Sequence, residues 1–329
     1  MGDLIKNADM KRPHVVILGA GASRAALPNG DKNGRKLPIM NGFLKTTGLE
    51  NILDGVNLTF KSDNLEDIYS ELHSKHEYKD VCKRLEDAIW DYFSSLELPD
   101  YPTIYDYLLL SLRKKDVIAS FNWDPLLLQA YRRVYKITSK LPELLFLHGN
   151  VAVGVCEQCK KVGFISDRCS GCGRQFKKSR LLYPIKEKNY HLDPFIKSQW
   201  DNIQRYLKNA FSFTVFGYSA PKSDVSAIEL LKQAWGRPSE RNLEQIQIID
   251  IKEDEELREA WDDFIHTHHY EIHKSFFESS LAKFPRRINE AYWAMFMDCI
   301  FVDTHEFHQG SSFEELKKQV QNLVQYEND

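Results

Sequence analysis

The stretch "HVVILGAGASRAA" constrains this 329-residue chain more than any other. His14–Leu18 is an unbroken β-branched and aliphatic run, and a strand of that kind is buried on both faces. It breaks at glycine and enters a helical segment directly. The same alternation recurs along the chain. "DVIASFN" reads as a strand and "WDPLLLQAYRRVYK" as a helix, with Pro125 tolerated in its first turn. "LLFLHGN" is a third strand. Later, "SQWDNIQRYLKNA" and "DVSAIELLKQAWG" read as helices beside the strands "FSFTVFGYS" and "EQIQIIDI". Strands separated by helices, each closed by glycine or a polar turn, indicate an α/β fold with a doubly wound parallel sheet.

Helical spacing dominates from Asn51 to about Lys115, so a helical segment is inserted between the first two strands, over about 42–115. The tail from about Asp254 also reads as helical. Within it, "HTHHYEIH" carries His266, His268, His269 and His273, of which only His269 and His273 share a helix face. No cysteine or HExxH pattern accompanies them, so the expectation is a solvated or interface helix rather than a metal site.

Five strand ends carry the candidate chemistry. In "GAGAS", Gly19 and Gly21 lack Cβ atoms where a pyrophosphate would approach backbone N–H groups at a helix N-terminus; a plain tight turn is the competing reading. The full dinucleotide fingerprint fails, because Arg24 stands in the slot of its third glycine. In "SFNWD", Asn122 and Asp124 offer an amide and a carboxylate at the edge where open α/β sheets bind ligands. Asp124 suits equally well as the cap of the helix that follows. In "LHGN", His148 stands at a strand end, and histidine is the side chain best suited to proton transfer near neutral pH. Gly217 and Ser219 in "FGYSAPKSD" shape a second ligand loop or a plain turn. Asp250 in "IIDI" is placed to accept from a ribose hydroxyl or simply to charge a turn.

"CEQCKKVGFISDRCSGCG" holds Cys156, Cys159, Cys169 and Cys172 in two CxxC pairs. That spacing suits a tetrahedral four-cysteine zinc site, with Gly171 and Gly173 easing the knuckle turn. Four thiolates leave no open coordination position, so the zinc is expected to be structural, with a module that folds only around metal. Cys82 and Cys299 stand alone in apolar surroundings and read as buried thiols.

These pieces, in this order, resemble the sirtuin-like superfamily of NAD-consuming proteins. "GAGAS" is similar to its GAG-Ser turn, "SFNWD" to its Asn-x-Asp motif and "LHGN" to its His-Gly motif. The two CxxC pairs stand where sirtuins carry their zinc ribbon. "FGYSAPKSD" resembles the turn of the divergent branch. The resemblance runs from roughly Pro13 to Ile251. It implies a Rossmann-like sheet with NAD+ bound as substrate across its C-terminal crevice. Gly19, Ala20, Gly21 and Ser23 would contact the phosphates, Asn122 and Asp124 the nicotinamide–ribose end, and Gly217 and Ser219 the adenosine side. His148 would be the catalytic base and Asn122 would position the attacking water. The deacetylase FGE segment is missing, "RLLYPIKEKNYHLDPF" standing in its place, and so is the loop that follows the first deacetylase motif. These departures tell against peptide deacetylation and favour cleavage of NAD+ by water or transfer of ADP-ribose to another acceptor; the leading reading is NAD+ hydrolysis to ADP-ribose and nicotinamide. A deacylase or ADP-ribosyltransferase is the second reading, and a non-catalytic NAD-sensing module the third. By the resemblance, such hydrolases serve bacterial anti-phage defence through NAD depletion.

The expected organisation is therefore 1–150 and 183–255 as two parts of the NAD-binding domain, 151–182 as the zinc ribbon and 256–329 as a helical C-terminal extension. Its aromatic-rich helices would suit a homo-oligomer or a partner such as an ATPase. With 44 Lys+Arg against 47 Asp+Glu, the net charge of −3 steers the whole chain toward neither nucleic acid nor an anionic membrane. No apolar run approaches the ~20 residues of a membrane span. "MGDLIKNADMKRP" lacks the apolar core of a secretion signal, and Lys6 breaks the myristoylation pattern. The expected location is cytoplasmic, where paired cysteines bind metal more often than they form disulfides.

Overall fold

Val15, Val16, Ile17 and Leu18 are completely buried, as an apolar run covered by helices on both sides must be. The computed structural model describes residues 10–59, 61–185, 190–219 and 224–327. Residues 220–223 of "FGYSAPKSD", 186–189 of the segment after the cysteines, and 1–9 lie outside the described residues.

Among the described residues nine strands follow in chain order: β1 (His14–Leu18), β2 (Val117–Ser120), β3 (Glu143–Phe146), β4 (Val153–Cys156), β5 (Lys161–Phe164), β6 (Lys177–Lys178), β7 (Ser212–Phe216), β8 (Gln245–Ile249) and β9 (Tyr270–His273). Six of them form one parallel sheet in the order β3-β2-β1-β7-β8-β9. The chain winds one way from β1 to β3 and the other way from β7 to β9. The switch point, where open α/β sheets bind ligands, therefore lies between β1 and β7.

The layers beside the sheet follow from helix periodicity. The helix Lys79–Ser94 buries Cys82, Leu85, Ile89 and Phe93 at three- and four-residue spacing. Asn64 caps the helix Leu65–Ser74 by accepting from Glu66 N, and Asp193 caps Pro194–Asn209 by accepting from Ile196 N. The helices Ile104–Ser111 and Leu126–Val134 pack together, as do Pro194–Asn209 and Val225–Trp235. The C-terminal helix Ile288–Phe296 is tied to the body by the buried ion pair of Arg113 with Glu290; Arg286, just before it, pairs with Glu327 beyond the helix Phe313–Val324 and donates to Leu112 O of the body.

Strands β5, β4 and β6 make a separate antiparallel sheet that carries the cysteines. The structure corrects two expectations. The histidine-rich segment is not a helix: Tyr270–His273 is β9, paired in parallel with β8 from Ile246↔Tyr270 to Ile249↔His273. Alternating Tyr270 and Ile272 against Glu271 and His273 is the two-residue period of an edge strand, which the surrounding histidines disguise. Cys299 is exposed, not buried; the helix before it ends at Phe296, and Cys299 takes a positive φ of 51°.

Candidate functional site

Because the large sheet is parallel, all its strands end on one side, and the hydrogen bonds run one residue past them. Gly19 N donates to Phe216 O, Phe121 N to Leu18 O, Leu147 N to Ser120 O and Gly217 N to Ile249 O, at 2.9–3.0 Å. These bonds hold the loops that begin at Gly19, Phe121, Leu147, Gly217 and Asp250 level with one another.

At the switch point the two glycine turns interlock. Gly21 N donates to Gly217 O at 2.9 Å, so this amide, like that of Gly19, is already committed. A Cβ on Gly19 would come within 2.5 Å of Gly217 O, and one on Gly217 within 2.2 Å of Ala22 N. Gly217 also takes a φ of 60°, which favours glycine. The three glycines thus serve a close approach between neighbouring turns. Ala20 opens the short helix Ala20–Ala26.

Ser23, one turn along that helix, reaches the next strand end. Its hydroxyl donates to Asp124 Oδ2 at 2.6 Å and accepts from Asn122 Nδ2 at 2.8 Å. Tyr105 OH stands 2.5 Å from the same oxygen. A serine has one proton to give. With that proton on Asp124, Tyr105 must donate to Ser23. Asn122 Nδ2 also donates to Gly19 O at 2.8 Å, which fixes the orientation of its amide, since a carbonyl can only accept. Asp124 Oδ1 accepts from Leu126 N at 3.1 Å; Pro125 is the N-cap of the helix Leu126–Val134, and Asp124, one residue before it, satisfies the helix's first amide and serves the cluster at once. Burial pushes the Asp124 carboxyl above its usual range, against the opposing bonds from Ser23 and Leu126, and burial also raises Tyr105 well above 10.0. Asn150 Nδ2 donates to Asp124 O at 2.6 Å, tying the His148 loop to this cluster.

His148 follows β3, the neighbour of β2. Its ring meets the edge of Phe121 at 4.7 Å and lies parallel to Tyr190 at 6.1 Å. Phe121 stacks on Tyr218 at 4.3 Å, and Tyr190 leans on Trp200 at 4.5 Å. Trp200 Nε1 donates to Leu147 O, directly before the histidine. The imidazole therefore sits against two aromatic rings, each backed by another, and Asn122, Asp124, His148, Phe121 and Tyr218 are each less than a tenth exposed. From the other side, Leu182 N donates to His148 O and Ser179 Oγ to Asn150 O, both at 2.9 Å. A Cβ on Gly149 would lie 2.0 Å from Arg180 O, so the chain leaving the cysteine module runs directly along the histidine loop.

Ser219 is exposed just beyond Tyr218. Asp250, half-buried at the end of β8, turns one carboxylate oxygen onto Lys252 N at 3.1 Å. Among the described residues, no hydrogen bond joins either residue to the buried cluster. Tyr105, Tyr190, Tyr218 and Trp200 escaped the sequence reading; Asn150 was visible in "LHGN" as the last residue of the motif.

The cysteines form the second centre. The Sγ atoms of Cys156, Cys159, Cys169 and Cys172 all lie within 4.8 Å of one another, with Cys156 and Cys169 buried. A set of four thiolates at this spacing fits tetrahedral zinc in a closed, structural site. Phe176 covers Gly154 and Gly163 beside it, where a Cβ on either glycine would lie 2.4–2.6 Å from the ring side chain.

No protein-family model matches the chain, and no curated protein matches it in sequence. Solved structures do resemble it. One is the crystal structure of a Sir2 homologue–NAD complex, at 15% identity and a TM-score of 0.42, covering 98% of this chain and 93% of that one. A second comes from work on the structural basis of sirtuin substrate affinity, at 16% identity and a TM-score of 0.43, covering 84% and 93%.

Proposed function

We propose that this chain is an NAD+ hydrolase that cleaves the nicotinamide–ribose bond at the C-terminal edge of the parallel sheet. The observation that carries this reading is the buried Ser23–Asn122–Asp124 cluster between the ends of β1 and β2, beside the switch point, with His148 one strand away. The motif resemblance assigns the same positions to NAD. In this reading the turn of Gly19, Ala20, Gly21 and Ser23 faces the phosphates, Asn122 and Asp124 the nicotinamide–ribose end, and Gly217, Ser219 and Asp250 the adenosine side.

The reaction needs a polar group to hold water, a base to take its proton and a site dry enough to favour one acceptor. Asn122 is held rigidly by two donated bonds, and among the described residues its Oδ1 accepts none, which suits it to orient a water. His148 takes a proton as water adds to the ribose carbon. Nicotinamide leaves with the electron pair of the broken bond, and ADP-ribose and one proton complete the balance. The aromatic rings around His148 exclude bulk water.

The neighbouring Ser179–Leu182 segment supports water over a peptide acceptor. It is hydrogen-bonded against the His148–Asn150 loop, where an acyl-peptide groove would have to open.

Purified protein incubated with NAD+, with and without an acylated peptide, separates the readings. Release of nicotinamide and free ADP-ribose without peptide is expected, lost in both Asn122→Ala and His148→Ala. Acyl-ADP-ribose formed only with peptide would make the chain a deacylase. NAD binding with no turnover would make it a sensor. Unchanged turnover in both variants would place the chemistry elsewhere.

A further inference from the structure

The charge of this chain is unevenly distributed. Between Glu157 and Arg180 there are seven Lys and Arg residues against two acids, whereas the whole chain carries 44 against 47. The rest of the molecule is therefore net −8 and the cysteine module net +5 before its metal site. Two of the four thiolates are buried, and a divalent metal offsets half their joint charge.

Both acids of the module are already neutralised. Asp167 is held by Arg132 of the helix Leu126–Val134 at 3.1 and 3.2 Å, and Glu157 by Lys177 at 2.6 Å. Lys160, Lys161, Arg168, Arg174, Lys178 and Arg180 are all exposed, and none has an acidic partner among the described residues. The fold gathers them. Lys161 pairs with Cys156 across the sheet and reaches Ser170 Oγ on the second knuckle at 3.1 Å, so it bridges the two knuckles. Arg168 and Arg174 flank that second knuckle, joined by the bond from Cys169 N to Arg174 O. Lys178, opposite Gly154, lies on the same face as Lys161, with β4 between their strands. Two strand spacings put these outer strands about 10 Å apart, about the Debye length at 0.1 M salt, so the charges act as one field at or below that ionic strength.

We propose that the cysteine module is a nucleic-acid-binding surface, on which Lys160, Lys161, Arg168, Arg174, Lys178 and Arg180 hold the phosphodiester backbone. A repeating polyanion suits cations that emerge from knuckles and strands on several sides of a small knob. A membrane plane would require them on one side with apolar residues between, and the large apolar side chain this module exposes is the single Val162. Its phenylalanines are buried or half-buried, Phe176 over the glycines and Phe164 beneath the Arg132 guanidinium at 3.6 Å. They offer no platform for stacking bases, so binding is through phosphates and independent of sequence. This surface is separate from the strand-end cluster and does not depend on the hydrolase reading.

The test is fluorescence anisotropy of a labelled 25-base-pair duplex of arbitrary sequence, titrated with zinc-loaded full-length protein between 50 and 200 mM salt. Six phosphate contacts give a log–log salt slope of about −5. Changing Lys160, Lys161 and Arg174 together to Glu should weaken binding at least tenfold and flatten the slope by about three, with zinc content unchanged. If that variant loses zinc, the same three positions changed to Ala should give a smaller loss in the same direction. The double variant Lys317→Glu, Lys318→Glu, in the C-terminal helix Phe313–Val324, should bind as the parent does. No binding at 50 mM salt, equal loss in the Lys317/Lys318 variant, or binding to phosphatidylserine vesicles in place of the duplex would each overturn the proposal.

Discussion

Tyr105 shows how much one side chain can decide inside the buried cluster. Its hydroxyl is the donor that completes Ser23 once the serine proton is on Asp124, and Asn122 Nδ2 lies 3.4 Å from the same phenol oxygen. Tyr105→Phe keeps the ring and removes this donor. It is expected to cost about 1–2 kcal/mol of stability, as for other buried hydrogen-bond deletions. By loosening Asn122 it should also lower NAD turnover roughly tenfold, read as nicotinamide release beside a urea melt. A melt and a turnover both unchanged would remove Tyr105 from the site. Gly217 tests the opposite kind of constraint. Its φ of 60° and the 2.2 Å approach to Ala22 N leave no room for a methyl group. Gly217→Ala should therefore destabilise by at least about 2 kcal/mol, measured by urea unfolding, because the obstacle is backbone and cannot swing aside. The glycines could be read from the sequence as turn residues, but the turn they press against could not. Tyr105 was hidden more completely. In "YPTIYDYLLLSL" it is one aromatic in an apolar run, and only the packing of Ile104–Ser111 against the sheet brings its hydroxyl to Ser23.

At the scale of elements, the strands that were easiest to read are those buried on both faces. β1 and β2 are largely apolar runs, β7 and β8 bury Ser212, Thr214, Gln245 and Gln247 among their apolar residues, and the ends of all four could be placed from glycine or polar breaks. β9 was misread because an edge strand of four half-buried residues carries polar side chains at alternate positions, a pattern that also satisfies i,i+4 helical spacing over so short a span. The cysteine module was legible for a different reason: metal-ligand spacing is a chemical constraint on sequence and needs no periodicity. Its three short strands bury little apolar surface of their own, with Phe176 and the half-buried Ile165 the large apolar side chains packed among the cysteines. The metal must therefore supply most of the module's stability. Elemental analysis should give one zinc per chain, and Cys169→Ser should abolish it. Removing zinc with a chelator should open residues 157–178 to proteolysis while the parallel sheet keeps its circular dichroism. Turnover should fall at the same time, because Ser179 and Leu182 brace the His148 loop from the module's last strand. Protection of that segment after complete zinc removal would show that the module folds without metal.

Across the whole molecule, the response to acid follows from what the central sheet has buried. His14 opens β1 and is 2% exposed, with Nε2 2.7 Å from Thr214 Oγ1 on β7. Desolvation lowers its pKa from 6.5 to about 4, the ionised Asp116 nearby opposing that shift and Lys115 adding to it. The folded protein therefore binds this proton more weakly than the unfolded chain does. The stability concerned is complete above pH 6.5 and is lost as pH falls from 6.5 toward 4. Integrated over that window the loss is on the order of 3 kcal/mol, of which about 2 kcal/mol is gone by pH 5. Glu271 on β9 acts in a lower window. Burial would raise its carboxyl, but hydrogen bonds from His273, Tyr292 and Ser280 outweigh burial and hold it at about 2, so its contribution fades only as pH falls below 4.5. The two windows overlap little above pH 5, which makes the histidine separable. His14→Gln keeps a partner for Thr214 and removes the titration. Its urea stability should change between pH 7.5 and pH 5 by about 2 kcal/mol less than that of the parent. Equal losses in both proteins over that range would show that the strand tolerates a protonated His14, and that the acid response begins elsewhere in the fold.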